Sequence, residues 1–190
     1  MNWPLKINEI EKCLQQLSAF RRGHTGNMPV DDAFSMWIEM TIRIRDQKRT
    51  IFLIGNGASA SMASHVAADL AKNGHVHTEV FSDLSLITAI ANDLTYDEVF
   101  AEPLRRRMKA GDMLVAISSS GNSLNVIKAA DEAQKLDGVV VTLSAMKEDN
   151  PLAAKGDLNF YVPATTYGLA ETCHAAILHH WIDKIVERNS

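Results

Sequence analysis

Apolar residues recur along the chain with two different spacings, and the change from one to the other divides the sequence. Ile7, Ile10, Leu14 and Leu17 follow a three-four-three rhythm that Phe20 extends, which predicts an amphipathic helix with a narrow stripe, ended by Arg21-Arg-Gly23. Such a stripe can pack on its own domain or on another subunit. A polar linker over 23–27 leads to a second predicted helix, in which Val30, Phe34, Trp37, Ile38, Thr41 and Ile44 share one side and read as core packing. From Arg49 onward, short apolar runs alternate with helical patterns. Strands are predicted at 51–54, 78–81, 113–117, 139–143 and 158–162, with helices at 60–73, 84–91, 97–109, from 124, and 169–188. The alternation implies an α/β fold with a largely parallel, five-stranded sheet covered by helices on both faces. No repeat, low-complexity tract or domain boundary interrupts it, so 1–190 reads as a single domain with an N-terminal helical extension over about 1–48.

Composition narrows the partners. With 190 residues, 46% of them hydrophobic, the chain can bury one sizeable core. The net charge of −4, from 19 Lys+Arg against 23 Asp+Glu, comes without a long basic run, which argues against nucleic acid and against an anionic membrane surface. Arg105-Arg-Arg107 reads as a solvated helix face. Cys13 and Cys173 lie far apart and outside any C-x-x-C pattern, as expected in a reducing compartment. The N-terminal residues become charged at once, and no stretch approaches the length of a membrane span, so a cytoplasmic location is expected.

Two loops carry chemistry. Met113-Leu-Val-Ala-Ile runs into Ser118-Ser-Ser-Gly-Asn-Ser123, after which Leu124, Val126, Ile127, Ala130 and Ala133 recur at helical spacing, so Ser123 is a natural N-cap. A helix start offers unpaired N–H groups and a partial positive charge, and four serine hydroxyls crowd around this one, an arrangement suited to a phosphate; Ser, Gly and Asn are also ordinary turn residues. Gly55-Asn-Gly-Ala-Ser59 follows another predicted strand, and both loops lie at carboxyl ends of strands, where open α/β sheets bind ligands. The first lacks the third glycine of a dinucleotide fingerprint, and no Gly-Lys-Ser/Thr follows, so a small phosphorylated molecule fits better than a nicotinamide cofactor or a nucleoside triphosphate. His65 and Asp69 share a helix face, and Glu171, Ala175 and His179 share a ridge of the last helix. An imidazole and a carboxylate from each helix could hold zinc or another divalent cation, although either pair alone also reads as a surface pair. His174, His179 and His180 could include an ordinary core or surface histidine.

Taken together, Gly55-Asn-Gly-Ala-Ser59, His65-x-x-x-Asp69, Ala91-Asn-Asp93, Tyr96-Asp-Glu-Val-Phe100, Ile117-Ser-Ser-Ser-Gly-Asn-Ser123 and Glu171-x-x-His174-x-x-x-x-His179 resemble the sugar isomerase (SIS) domain of phosphoheptose isomerases over nearly the whole chain. The resemblance implies a flavodoxin-like three-layer αβα fold, a homotetramer with active sites between subunits, zinc, and interconversion of sedoheptulose 7-phosphate with an aldoheptose phosphate for surface-polysaccharide precursors. By that resemblance Ser118, Ser119, Ser120 and Ser123 hold the phosphate with help from Ser59, and Asn56, Gly57, Ala58, Asn92 and Asp93 line the sugar. His65, Asp69, Glu171 and His179 take the metal positions, with Asp69 as base and His179 as acid.

The departures from the family pattern fall on the sugar side. Asp69 stands where the family usually has glutamate, which withdraws the carboxylate by about 1.5 Å, one carbon–carbon bond. Glu171 replaces a usual glutamine, Thr172 a glutamate, Ala58 a glycine, and Gly168 an aspartate. The added charge at Glu171 should tighten a nearby cation while weakening it as a Lewis acid. Two functional readings stand. One is a phosphosugar isomerase working by enediol proton transfer; the other is a non-catalytic SIS module that binds a sugar phosphate as a signal or a protein such as a replication initiator. A different metal-assisted phosphosugar reaction is compatible with the same fold.

Overall fold

The computed structural model describes residues 2–188. Helix α1 (Trp3–Gln15) is followed by strand β1 (Ser18–Arg21) and helix α2 (Val30–Asp46). The alternating part then runs β2 (Thr50–Gly55), α3 (Ala58–Gly74), β3 (His77–Val80), α4 (Leu84–Asp93), a 3-10 turn (Tyr96–Glu98), α5 (Ala101–Arg107), β4 (Met113–Ser118) and α6 (Leu124–Lys135). It ends with β5 (Val139–Ala145), β6 (Leu158–Val162) and α7 (Tyr167–Glu187).

The sheet has six strands in the order β1-β6-β5-β4-β2-β3. Strands β2 to β6 are parallel, as the sequence predicts, and β1 adds an antiparallel edge against β6. The expected five strands therefore become six, and the first helix stops at Gln15 instead of reaching Phe20. The cause is edge pairing: Ser18 to Arg21 lie against Tyr161 to Leu158, which buries Ala19 completely. The N-terminal segment is thus not wholly helical. The predicted helix over 97–109 likewise divides into the 3-10 turn and α5.

Alternate residues of the central strands face opposite layers. Ile51, Leu53, Met113, Val115 and Ile117 join α2, α3 and α7 on one side, where Trp37 stacks on Trp181 at 4.0 Å between ring centroids. Phe52, Ile54, Leu114 and Ala116 meet Phe81, Phe100, Leu104 and Val126 on the other. Between β2 and β4 the strand order reverses, because β2 leads outward to β3 while the chain returns to β4 on its other side. Open α/β sheets form their binding crevice at such a switch point.

One histidine belongs to the core. His174 is fully buried on α7, its Nε2 hydrogen-bonds the Ser144 carbonyl at 3.2 Å, and its Nδ1 has no partner among the described residues. Desolvation pushes this imidazole down to about 4 from its ordinary 6.5. The unfolded chain takes up that proton below about 6.5 and the folded chain only below about 4, so stability falls as pH drops through this window, by up to roughly 3 kcal/mol. Urea unfolding at pH 7.5 and 4.5 should show the loss, and His174→Leu should flatten it by that amount.

Candidate active site

Gly55 at the end of β2 pairs with Ile117 near the end of β4, so the two loops leave the sheet side by side. A Cβ on Gly55 would collide with Ser59, and one on Gly121 would overlap the Asn150 side chain; both turns need glycine to stay this tight. Gly121 also has a positive φ of 64°.

Within the second loop Ser118 Oγ donates to Ser123 Oγ at 3.2 Å, and the Asn122 backbone N–H donates to Ser120 Oγ at 3.2 Å. Ser123 stands at the N-cap of α6 without making a side-chain cap bond, and Gly57 at the N-cap of α3 has no side chain to make one. The Ser59 and Ala60 N–H groups of α3 already donate to the Asn56 and Gly57 carbonyls, and the Val126 N–H of α6 to the Ser123 carbonyl, so an external acceptor is met by the N–H groups nearest each helix start. Around them lies a cavity of about 210 Å³ lined by Asn56, Ser59, Ile117, Ser118, Ser119, Ser120 and Ser123, with Tyr167 and Glu171 from the first turns of α7. No lysine or arginine lines it, so an anion here is met by hydroxyls, backbone N–H groups and helix dipoles, while the Glu171 carboxylate opposes it. Ser120→Ala combined with Ser123→Ala should weaken a phosphate ester about ten- to a hundredfold without lowering the melting temperature, as read by calorimetry. Unchanged affinity would remove the loop from the site.

Further along α3 and α7, His65, Asp69 and His179 come together, with one ligand atom of each within 4.8 Å of the others. His65 Nε2 lies 3.4 Å from Asp69 Oδ2, and the His65 and His179 rings are 5.4 Å apart. Two imidazoles and a carboxylate form a donor set suited to a borderline divalent cation, with room for further ligands. These side chains can hold a metal ion. The two histidines are exposed and Asp69 is half-buried.

Glu171, expected with the metal group, lines the serine cavity and is not one of the three that converge. Eight residues, roughly 12 Å of helix, separate it from His179. Ala58 is exposed at the start of α3, beside Gly57. Asn92 and Asp93 end α4 on the surface, where the Asn92 amide donates to the Asp93 carboxylate at 2.9 Å. Gly168 has open space around its Cβ position. His180 is an exposed residue whose ring meets Phe34 edge-on at 4.6 Å. Sequence reasoning missed Tyr167, which borders the serine cavity, and Asn125, whose amide meets that of Asn56. Its only sequence signals were an aromatic residue at the first position of a helix and an amide among the apolar residues of another.

The SIS domain family model matches residues 28–145. The phosphoheptose isomerase of Shewanella denitrificans is 34% identical over 156 residues, covering 77% of this chain and 79% of that protein. The phosphoheptose isomerase of Colwellia psychrerythraea is 36% identical over 137 residues, covering 68% and 70%. Among solved structures, phosphoheptose isomerase GmhA from Neisseria gonorrhoeae superposes with a TM-score of 0.82 at 28% identity, over 96% of this chain and 94% of that one. These likenesses extend well past the two loops, and the chain belongs to the phosphoheptose isomerases of the SIS-domain family.

Proposed function

We propose that the protein interconverts sedoheptulose 7-phosphate and D-glycero-D-manno-heptose 7-phosphate. The observation that carries this reading is the convergence of His65, Asp69 and His179 on α3 and α7, two helices whose first turns border the serine cavity. From Ser59 to His65 is roughly 9 Å of helix, a span that a phosphorylated chain of several carbons bridges. The same convergence favours an enzyme over a signal-binding module, which needs no cluster of proton-transfer groups.

In this mechanism the serine loop and the two open helix starts hold the phosphate, so that the carbonyl end of the sugar lies against α3 and α7. Asp69 takes the carbon-bound proton beside the carbonyl, and His179 gives a proton to the carbonyl oxygen, which yields an enediol. Return of the proton to the former carbonyl carbon, with loss of the neighbouring hydroxyl proton, completes the exchange of ketose for aldose. Zinc is the proposed ion; His65, Asp69 and His179 would hold it, and when bound it supplies Lewis-acid polarisation of the carbonyl oxygen.

The assembly we infer is a cytoplasmic homotetramer of single SIS units with sites between subunits. In its support, α4 buries none of its residues although it is rich in Leu and Ile, and Trp3, Leu5 and Ile7 of α1 are exposed, Trp3 at 71%. No described helix is long and apolar enough to cross a membrane. Light scattering should give four times the chain mass of 20.9 kDa, and a monomer would overturn the assembly. The function is tested by incubating the protein with five-, six- and seven-carbon sugar phosphates in deuterated water. Deuterium beside the carbonyl of the heptose phosphate is expected, and none in any sugar would refute the isomerase.

A further inference from the structure

The buried side chain of Asn125 joins the two loops, and the mechanism above does not use it. Asn125 lies in the first turn of α6, and Asn56 stands in the first loop. Each amide donates to the carbonyl of the other: Asn56 Nδ2 to Asn125 Oδ1, and Asn125 Nδ2 to Asn56 Oδ1, both at 2.9 Å. A reciprocal pair alone could sit in two settings, since turning both amides end for end exchanges every donor and acceptor. The backbone chooses between them. The Val126 N–H donates to Asn125 Oδ1 at 2.9 Å, and an N–H can face only an acceptor. With Asn125 fixed, Asn56 has to present its oxygen to Asn125 Nδ2.

Tyr96 adds a second partner, its hydroxyl donating to Asn56 Oδ1 at 3.1 Å once Asn125 has set the amide. The turn carrying Tyr96 is itself tied down: Glu98 accepts from Arg105 at 2.9 Å and from Lys128 of α6 at 3.3 Å. Both lone pairs of Asn56 Oδ1 are then engaged, and one N–H of its Nδ2 is taken. A single N–H is what remains. Asn56 borders both the serine cavity and the apolar cavity beside it, which Phe81, Tyr96 and Phe100 help to line.

We propose that Asn125 is a positioning residue: held by the start of α6, it locks the Asn56 amide so that the ligand meets one N–H donor and no acceptor. The site thereby selects a sugar oxygen that accepts a hydrogen bond at this point. The proposal rests on reading the cavity as a sugar phosphate site.

The test compares Asn56→Ala, Asn125→Leu, Tyr96→Phe and the double variants that combine each of the last two with Asn56→Ala. In the wild-type chain the Asn56 side-chain amide proton donated to Asn125 should exchange with deuterated water more slowly than its free partner by NMR, and Asn125→Leu should remove that difference. Asn125→Leu should lower kcat/KM for sedoheptulose 7-phosphate by about ten- to a hundredfold, the scale of a misplaced binding group. Affinity for inorganic phosphate should stay within about twofold, because the serine loop is untouched. In the Asn56→Ala background, Asn125→Leu should cost nothing further, since its effect passes through the missing amide. Losses that multiply in the double variant, or two wild-type Asn56 amide protons that exchange equally fast, would overturn the lock. Tyr96→Phe alters only an exposed hydroxyl and keeps the test intact if Asn125→Leu does not fold; it should lower kcat/KM about threefold, and not at all beside Asn56→Ala. A wild-type protein that binds sedoheptulose 7-phosphate without isomerising it refutes the isomerase reading alone, and the lock is then judged on dissociation constants and amide exchange.

Discussion

Turnover is expected to fall by about two to four orders of magnitude when His179 is replaced by glutamine, the usual scale of a lost general acid. Glutamine keeps a polar group of similar reach but cannot release a proton near neutral pH. The position is well separated from the anion cavity, since His179 lies eight residues beyond Glu171, roughly 12 Å along α7. Affinity for inorganic phosphate should therefore remain within about twofold. The variant should fold normally, because the His179 side chain is exposed, unlike the buried His174 of the same helix. Steady-state rates, phosphate calorimetry and metal content should be measured on one preparation, because metal content separates loss of a proton donor from loss of a ligand. Turnover near the wild-type rate would remove His179 from the acid role.

The parts of the fold that were legible in the sequence are those whose signal is local. Strand β4 is buried at every position from Met113 to Ser118, and a short apolar run bounded by Asp112 and Gly121 announces that environment directly. Strand β1 gave no such signal. Only Ala19 of its four residues is buried, and Leu17 and Phe20 happen to stand three apart, so a helical template fits them until the edge of β6 is available to pair with. The break before α5 had a physical cue in Pro103. In a helix running from 97 this proline would be interior and would cost the hydrogen bond to residue 99, whereas in α5 it falls in the first turn, where no N–H is needed.

The site was legible to the same extent and for the same reason. Ser118 to Ser123 and Gly55 to Ser59 carry their chemistry in consecutive residues, and His65 and Asp69 share a face through helical spacing alone. That the loops adjoin depends on the pairing of Gly55 with Ile117, a fact of strand order that no residue pattern encodes. Glu171 illustrates the limit. It sits on the same ridge as His179, yet the turn of α7 that bears it faces the serine cavity, and only the packing of α7 beside α3 decides which residues of the ridge meet His65. Asn125 was invisible because its partner lies 69 residues away.

Asp69→Asn should abolish the isomerase as thoroughly as the loss of His179, but through the other proton. Asparagine keeps the size of the side chain and a polar atom toward His65, whose Nε2 stands 3.4 Å from Asp69 Oδ2, while it removes the only carboxylate in the converging group. A loss of about a hundred- to ten-thousandfold is expected. The two variants should differ in isotope exchange. Without His179, Asp69 can still withdraw the carbon-bound proton, so slow deuterium uptake from solvent should outlast net turnover. Without Asp69 the carbon-bound proton loses its proposed base, and uptake should fall in step with turnover. Deuterium entering the heptose phosphate at near the wild-type rate in Asp69→Asn would place the base on another residue and leave Asp69 as a metal-binding or structural group.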